Sequence, residues 1–462
     1  MERDPSSFRD PSGYIYRDPK GKVLRVVNKY GRQDYDGLVN GGLYKELSGD
    51  KLIIAHKDVT STYKKQFGAE VYKVIEPKQL TLVTYPYEWS FSQYKDAALT
   101  TLEIHRRALE NGLSLKDASA YNIQFVDGSP IFIDTLSFEA YSEGEPWVAY
   151  RQFCQHFLTP LTLMAYKDIE LNKLMRIYID GVPLGLAAKL LPKKAKLKPG
   201  ILAHIILHAR SQAQHENAEE GTVKKMKKAK ISKARQLALI QNLANTIKSL
   251  PVSKKNTEWG EYYTFTNYTK RSFKQKEKLV FDMAKKVKPK TVWDLGANDG
   301  SFSRVVATLG AEVASFDIDP NAIEKNYRAV KKAKETNILP LLLDLTNPSP
   351  AIGWANSERQ SFIQRGPADL VMSLALIHHL SISNNVPLPE LADFFAGISK
   401  NLIMEFVPKQ DSKVQKLLAS RKDIFSGYNE EGFETVFSKH FTVVEKKKVG
   451  GSKRTLYLLS RK

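Results

Sequence analysis

The chain has 462 residues, and its 70 lysines and arginines against 50 aspartates and glutamates give a formal net charge of +20. This length predicts roughly two to four domains, and a content of 42% hydrophobic and 26% charged residues excludes a disordered or collagen-like chain. No apolar run reaches the ~18 residues of a membrane-spanning helix and the start has no apolar signal core, so a cytoplasmic protein is expected. The single cysteine, Cys154, excludes an intramolecular disulfide and a cysteine-based zinc site, and its apolar surroundings favour a buried thiol.

The first clear element is a helix over residues 92–112. Apolar residues such as Ala98 and Leu102 recur on one side of it, and Gly112 suits its end. Two short apolar runs follow, joined by Asp127-Gly128, a pair typical of a tight hairpin turn. In such a hairpin, the residues that follow the second strand lie close to the residues that precede the first strand.

Three polar residues flank this hairpin. Asp117 and Asn122 have the D-x-x-x-x-N spacing of a phosphotransferase catalytic loop, and Asp134 follows the second strand. In kinases the first aspartate accepts the substrate proton, while the asparagine and the second aspartate hold magnesium. The stretch resembles small-molecule kinases of the aminoglycoside-phosphotransferase type, which implies an α+β kinase-like domain over residues 1–180.

The same region departs from the kinase pattern. The histidine or arginine that kinases place before the first aspartate is missing before Asp117, and Asp134 is not followed by glycine. The lysine that would pair with phosphates is either Lys57 or Lys73. We therefore expect a recognition or scaffold role for this half. Asn122 and Asp134 bind a metal only if the kinase-like site is active, and no other metal site is predicted.

The positive charge is concentrated in one segment. Residues 189–255 contain 16 lysines and arginines against three acids, and so carry 13 of the 20 net charges. One interpretation is a solvated helical connector, and the other is a surface that holds nucleic acid or another polyanion by counterion release. The segment lacks interleaved aromatic residues, which gives little sequence support for nucleic acid. We expect a basic helical connector over residues 181–250.

From residue 291 onward, apolar runs alternate with helical patterns, which predicts a parallel sheet covered by helices on both faces. The last two runs are joined by a turn too short for a crossover, so they must form an antiparallel hairpin. The result is a seven-stranded Rossmann-like α/β sheet with its last strand antiparallel, in a domain over residues 251–462. The predicted strands are Thr291–Leu295, Glu312–Asp317, Ile338–Leu345, Ala368–Leu376, Leu402–Val407, Phe441–Val449 and Arg454–Ser460.

The loop after the first of these strands, VWDLGANDGSFS, contains candidate ligand-binding residues. Gly296 and Gly300 let the backbone turn tightly and approach a ligand at the carboxyl edge of the sheet. Asn298 stands where the dinucleotide fingerprint requires glycine, which disfavours a pyrophosphate cofactor. Asp294 beside the loop repels phosphates but suits a cationic ligand.

Two further acids follow the next two strands. Asp317 lies 21 residues past Gly296, where an acid would accept hydrogen bonds from both hydroxyls of a ribose. Asp344, at the end of the third strand, is placed to bind the exocyclic amine of an adenine. Acids at three successive strand ends, together with the glycine loop, predict a cofactor site.

With these residues, the chain from about 255 to 462 resembles the class I S-adenosylmethionine-dependent methyltransferases. The motif Asp294-x-Gly296-x-Asn298-x-Gly300 matches the first motif of that family, with Asn298 replacing a common glycine. Longer segments, among them ILPLLLDLTNPSPAIGW and LIMEFVPKQDSKV, resemble a branch related to nodulation-protein-type methyltransferases. The resemblance implies S-adenosylmethionine as cofactor and names no acceptor.

The same resemblance assigns Asp317 to the ribose and Asp344 to the adenine of the cofactor. An oxygen or nitrogen acceptor also needs a base, and His378 and His379, just beyond the fourth strand, are the nearest titratable candidates. Structural histidines are the alternative. Glu405, at the end of the fifth strand, is expected to face the ligand edge and to bind acceptor or cofactor.

Upstream of the first strand, Tyr262, Tyr263 and Tyr268 form either a lid over the cofactor or the core of an added helix. The leading hypothesis is an enzyme whose C-terminal half transfers a methyl group to a small molecule or glycan that the N-terminal half presents. One alternative is a phosphotransferase with a regulatory S-adenosylmethionine-binding domain. Another is a nucleic-acid-binding protein or RNA methyltransferase that uses the basic segment.

Overall fold

The computed structural model describes residues 2–18, 21–216, 230–252, 270–419 and 421–462. The chain divides into two compact units: Met1–Lys254 with Ile352–Arg359, and Lys255–Ala351 with Gln360–Lys462. The connector expected over residues 181–250 is not a separate body, because its described residues belong to the first unit. Tyr262, Tyr263 and Tyr268 lie outside the described residues.

The first unit contains an antiparallel five-stranded sheet of order β1-β2-β3-β5-β4 and two separate strand pairs, β6–β9 and β7–β8. The turn between β7 and β8 is Asp127-Gly128, with φ of 52° and 74°, the left-handed pair that a tight hairpin needs. The predicted hairpin is therefore confirmed. The strands are β1 Glu2–Arg3, β2 Gly13–Arg17, β3 Val23–Asn28, β4 His56–Asp58, β5 Val71–Pro77, β6 Leu113–Leu115, β7 Ile123–Val126, β8 Ser129–Phe132 and β9 Phe138–Ala140.

Helices make up most of the rest of this unit. The helix predicted over 92–112 is present as α4, whose first turn is capped by the Ser90 hydroxyl. Cys154 is free and fully buried, as its sequence context indicated. The helices are α1 Arg32–Asn40, α2 Leu43–Gly49, α3 Thr60–Tyr63, α4 Phe91–Glu110, α5 Tyr150–Phe153, α6 Thr159–Tyr166, α7 Leu174–Ile177, α8 Leu184–Leu190, α9 Lys193–Lys196, α10 Pro199–Ile201, α11 His208–Glu216 and α12 Lys233–Ser249.

Packing explains why the connector belongs to the first unit. Helix α12 lies against α4, and Lys95 Nζ donates to the carbonyl oxygens of Lys248, at 2.8 Å, and Leu250, at 3.2 Å. Ile240, Leu243 and Ile247 are buried on one face of α12, at helical spacing. The many lysines of this segment concealed its apolar stripe in the sequence.

The second unit is a seven-stranded sheet of order β12-β11-β10-β13-β14-β16-β15. The first five strands in this order are parallel, and β16 is antiparallel to both of its neighbours. The predicted seven-stranded sheet with its last strand antiparallel is therefore confirmed. The strands are β10 Thr291–Leu295, β11 Glu312–Asp317, β12 Ile338–Leu342, β13 Ala368–Ser373, β14 Ser399–Phe406, β15 Phe441–Lys448 and β16 Thr455–Arg461.

Helices cover this sheet on both faces. Val292 from β10 packs with Val280 of α13 and Val306 of α14 in one core cluster. Trp293, which points to the opposite face, packs its ring 4.7 Å from that of Phe362. This alternation is what a central strand buried on both faces requires. The helices are α13 Lys270–Val287, α14 Ser301–Ala307, α15 Pro320–Ala333, α16 Leu388–Ile398, α17 Ser412–Leu418 and α18 Glu430–Phe437.

No helix in the described part of the chain combines the length and hydropathy needed to cross a bilayer.

Candidate functional site

A cavity of about 400 Å³ lies in the second unit at the carboxyl ends of β10 to β13. This is the edge at which parallel α/β sheets bind ligands, and the volume falls within the ~300–1,000 Å³ of small-molecule sites. The structure brings to this cavity most of the residues singled out from the sequence. Those lining it are Asp294, Gly296, Asn298, Asp317, Asp344 and His379.

The glycine loop needs its two glycines for different reasons. Gly296 and Gly300 have φ of 77° and 78°, in the left-handed region where a Cβ is disfavoured. At Gly300 a Cβ would also stand 2.5 Å from Nδ2 of Asn326, whereas at Gly296 it would lie 3.3 Å from Leu376. The missing side chain of Gly300 therefore allows α15 to pack closely against the loop, whereas Gly296 lines the cavity.

Asp317 is held by two backbone amides, one of which belongs to this loop. Its Oδ2 accepts a hydrogen bond from the amide of Asn298 at 2.8 Å, and its Oδ1 accepts one from the amide of Asp319 at 2.9 Å. The side chain is 8% exposed, and burial raises its pKa to about 6 against the stabilising effect of these donors. Asn298 reaches this position with φ of 50°, which asparagine tolerates better than most residues.

The other two acids differ in environment. Asp294 is buried and accepts a hydrogen bond from the Ser303 hydroxyl at 2.6 Å, and burial raises its pKa to about 7. Asp344 is half-buried, and its Oδ1 accepts from the amide and hydroxyl of Thr346 at 2.9 and 2.6 Å. The three acids line one cavity, as the strand ends predicted.

The rings of the two histidines lie against one another, with centroids 4.2 Å apart and planes tilted by 40°. His379 lines the cavity, and burial lowers its pKa to about 4, assisted by the charges of Arg454 and Lys413. His378 lies behind it and is 1% exposed, and its Nδ1 has no hydrogen-bond partner among the residues that the structure describes. Burial also lowers the pKa of His378, well below the usual histidine value. Both rings are neutral at pH near 7.

Glu405 is fully buried and is not among the residues that line the cavity. Its Oε2 accepts from Lys276 Nζ at 2.7 Å, and its Oε1 lies 3.8 Å from Arg454. Arg454 in turn pairs with Asp411 at 2.8 Å. Glu405 therefore sits within a buried chain of alternating charges, and a direct role in binding acceptor or cofactor stays a prediction.

Sequence reasoning missed Lys276, a cavity-lining lysine of α13 that is 2% exposed. Its ammonium lies 4.6 Å from the centre of the Phe302 ring, and burial lowers its pKa although Glu405 opposes the shift. A signal was present, because Lys276 falls between Phe273 and Val280 at the spacing of the apolar face of α13. The surrounding lysines concealed it.

The first unit brings Asp117, Asn122 and Asp134 close together, as the predicted hairpin requires. Asp117 Oδ1 accepts from the amide of Ser119 at 2.9 Å and from Gln152 at 2.8 Å. Asn122 donates to the Ser137 hydroxyl at 3.4 Å. Burial raises the pKa of Asp117, and the charge of Asp134 adds to this shift.

The residues at this second acidic cluster do not fit a magnesium ion. Asp134 Oδ1 lies 2.9 Å from Arg25 and accepts from the Leu136 amide at 2.9 Å, while its Oδ2 accepts from Ser137 at 2.8 Å. The Arg25 guanidinium also pairs with Asp10 at 2.6 Å. A cation thus already occupies the position beside Asp134. No group of three or more histidine, cysteine or acidic side chains suited to a metal occurs in the residues the structure describes.

Comparison with known proteins gives one full-length relative. The chain is 37% identical over 462 residues to nodulation protein NoeA of Rhizobium meliloti strain 1021, covering 99% of this chain and 96% of that protein. No protein-family model matches the chain.

Solved structures give weaker likenesses. N-methyltransferase NodS of Bradyrhizobium japonicum, solved with S-adenosylhomocysteine, is 13% identical over 44% of this chain and 96% of its own, with a TM-score of 0.32. WbdD, solved with a kinase inhibitor, is 17% identical with a TM-score of 0.29. That match spans 40% of this chain and 40% of WbdD. Likenesses this low do not by themselves indicate a shared activity.

The sequence identity and near-complete coverage of the relative confirm the nodulation-protein branch that the motifs around Asp344 and Glu405 indicated. The chain belongs to the family of nodulation protein NoeA.

Proposed function

We propose that the second unit binds S-adenosylmethionine and transfers its methyl group to a small molecule or glycan. The observation that carries this proposal is the cavity at the carboxyl ends of β10 to β13, where Asp317 is fixed by two backbone amides beside the glycine loop. The acids favour a ligand with hydroxyl and amine donors and a positive charge, and they disfavour phosphates.

The cavity residues suit the separate parts of this cofactor. The carboxylate of Asp317 has further lone pairs that can accept hydrogen bonds from the ribose hydroxyls. Asp344 accepts from Thr346 through Oδ1 and can offer Oδ2 to the adenine amine. Asp294 places negative charge near a cationic ligand, whereas the ammonium of Lys276 is already paired with Glu405. When bound, the cofactor supplies an electrophilic methyl group on a sulfonium.

The chain itself contributes positioning and a proton acceptor. Apolar side chains such as Leu374, Leu376 and Leu380 line much of the cavity and exclude water from it. Because its pKa is lowered to about 4, His379 stays neutral at physiological pH, so its ring can accept a hydrogen bond from a hydroxyl or amine acceptor and orient it. The same shift makes this imidazole a weak base, so it assists removal of the acceptor proton only weakly. His378 supports the ring of His379 by packing against it.

The first unit is assigned recognition of the acceptor or a scaffold role within this proposal. Arg25 neutralises the carboxylate of Asp134, so no phosphoryl transfer is proposed there. The comparisons give no support to nucleic acid as a partner.

Calorimetric titration with S-adenosylmethionine tests the cofactor site. Wild type is expected to bind, and Asp317→Ala is expected to bind at least a hundredfold more weakly, because hydrogen bonds to a charged group contribute about 1.5–3 kcal/mol each. Asp282→Ala is the matched control, since Asp282 is an exposed carboxylate of α13 in the same unit. Absence of binding by wild type, or equal binding by Asp317→Ala, would refute the site.

A further inference from the structure

One surface of the first unit combines lysine with exposed leucine. From Gly181 to His215 the sequence has no acidic residue, and within it the stretch 189–207, here called the Lys–Leu segment, reads KLLPKKAKLKPGILAHIIL. It carries five lysines, and none of them forms an ion pair with any residue that the structure describes. The local charge is therefore unbalanced.

The segment is folded rather than loosely attached. Leu191, Ala195, Ile201 and Ile205 are 3%, 2%, 1% and 0% exposed, so the chain is anchored at regular intervals. Gly200 lies so close to α12 that a Cβ there would fall 1.9 Å from the Thr246 hydroxyl oxygen. The side chains between these anchors are accordingly held at the surface.

Those outward side chains are large and apolar as well as basic. Leu197 is 76% exposed and stands between Lys196 and Lys198, and Leu207 is 48% exposed. Leu190 and Leu202 are each 36% exposed. Single exposed leucines are common on protein surfaces, but here four stand in one short stretch without acidic residues. Leu190 and Leu197 alternate along the chain with the five lysines.

The residue types of the Lys–Leu segment favour one kind of polyanionic partner over another. Single-stranded nucleic acid is bound with aromatic side chains on which the bases stack, usually together with arginine. The Lys–Leu segment contains no phenylalanine, tyrosine, tryptophan or arginine, and its one histidine, His204, is buried. An anionic membrane surface instead takes lysines at its head groups and aliphatic side chains at the boundary with the acyl chains.

We propose that the Lys–Leu segment is a peripheral docking surface for anionic phospholipid membranes. Leu197 enters the head-group region while Lys193, Lys194, Lys196 and Lys198 contact the lipid phosphates. Each lysine near such a surface strengthens binding roughly fivefold. Association should therefore weaken as salt rises, because salt screens these charges.

Cosedimentation of the full chain with lipid vesicles tests the proposal. Wild type is expected to bind vesicles of phosphatidylcholine mixed with phosphatidylglycerol, and not vesicles of phosphatidylcholine alone. Changing Lys193, Lys194, Lys196 and Lys198 together to glutamate should weaken binding by more than about a hundredfold. Leu197→Ser should weaken it severalfold without changing the charge.

The matched control changes four exposed lysines of the second unit, Lys285, Lys332, Lys439 and Lys453, to glutamate. It alters the net charge equally and should keep more of the vesicle binding than the segment variant. Circular dichroism and thermal denaturation of all variants serve as the check of folding. Equal loss in both quadruple variants, no vesicle binding by wild type at low salt, or binding of an RNA homopolymer without vesicle binding would overturn the proposal.

Discussion

The two units each gather three polar or acidic side chains at the ends of strands, yet the two clusters have opposite environments. In the second unit, Asp317 borders a cavity, and the donors that hold it are two backbone amides, that of Asn298 in the glycine loop and that of Asp319. In the first unit, Asp134 is bound on both oxygens by Arg25, Leu136 and Ser137. The difference shows that residue type and spacing bring acids together, while the neighbouring cations and free volume decide whether they can bind a ligand.

A third arrangement lies between these two. Glu405 is as buried as any acid in the molecule, but it is paired with Lys276, which lines the cavity. It therefore resembles Asp134 in having its charge satisfied within the protein, and resembles Asp317 in lying near the ligand.

The largest effect on stability is expected from Glu405→Gln. It leaves Lys276 and Arg454 buried with one carboxylate fewer, and breaking a buried ion pair in this way costs about 3–5 kcal/mol. Urea denaturation measures the loss in free energy of unfolding. Adding Lys276→Met to Glu405→Gln should recover part of the loss, whereas a single variant within about 1 kcal/mol of wild type would show that the pair is not buried as described.

The ligand loop is tested by Gly300→Ala, with Gly310→Ala as its control. Both glycines have positive φ, 78° and 83°, but only at Gly300 does a new Cβ meet other atoms, those of Asn326 and Arg304. Strain at a left-handed residue costs about 1–2 kcal/mol, so Gly310→Ala should lose that much and Gly300→Ala about 1 kcal/mol more. Thermal denaturation of both variants measures the difference, and equal losses would contradict close packing beneath the loop.

The affinity for S-adenosylmethionine should depend on pH. The pKa of Asp317 is raised to about 6 in the protein without ligand, and the ionised carboxylate is the better acceptor for ribose hydroxyls. Affinity is therefore full above the pKa and falls as pH drops through it, by about tenfold per pH unit below. Asp294, with a pKa raised to about 7, adds in the same direction. Titrations at several pH values measure this, and a pH-independent affinity would rule out ionised acids as the ligand acceptors.

The smallest effect is expected from Asp134→Asn in the first unit. The substitution removes a charge-assisted bond to Arg25 and should reduce the free energy of unfolding by about 1–3 kcal/mol. Magnesium-ATP should cause no thermal shift in wild type or variant, because Arg25 holds the cation position. A magnesium-dependent shift in wild type that Asp134→Asn abolishes would instead indicate a working kinase-like site.

Much of the second unit was predictable because its signals are local. Each buried parallel strand is a short apolar run, so Thr291–Leu295 and Glu312–Asp317 were predicted with the bounds that the structure has. Asp317 and Asp344 were found for a related reason, since the ends of parallel strands meet at one edge.

The rest depended on contacts between distant residues. Arg25 is 109 positions before Asp134, and spacing alone gives no sign that its guanidinium takes the place of a metal. The burial of Glu405 against Lys276 was likewise not visible, because a lysine in a lysine-rich helix looks like a solvated one. The apolar face of α12 was also not recognised, because the lysines and arginines of the connector concealed it.

Calorimetric titration of S-adenosylmethionine into Asp317→Asn and Asp134→Asn, side by side with wild type, tests the contrast between the two clusters most directly. Both substitutions remove one negative charge and keep the shape of the side chain. Asp317→Asn is expected to weaken binding by at least about a hundredfold, and Asp134→Asn is expected to leave the affinity at the wild-type value. Equal affinities in the two variants, or a loss confined to Asp134→Asn, would contradict the assignment of the cofactor site to the second unit.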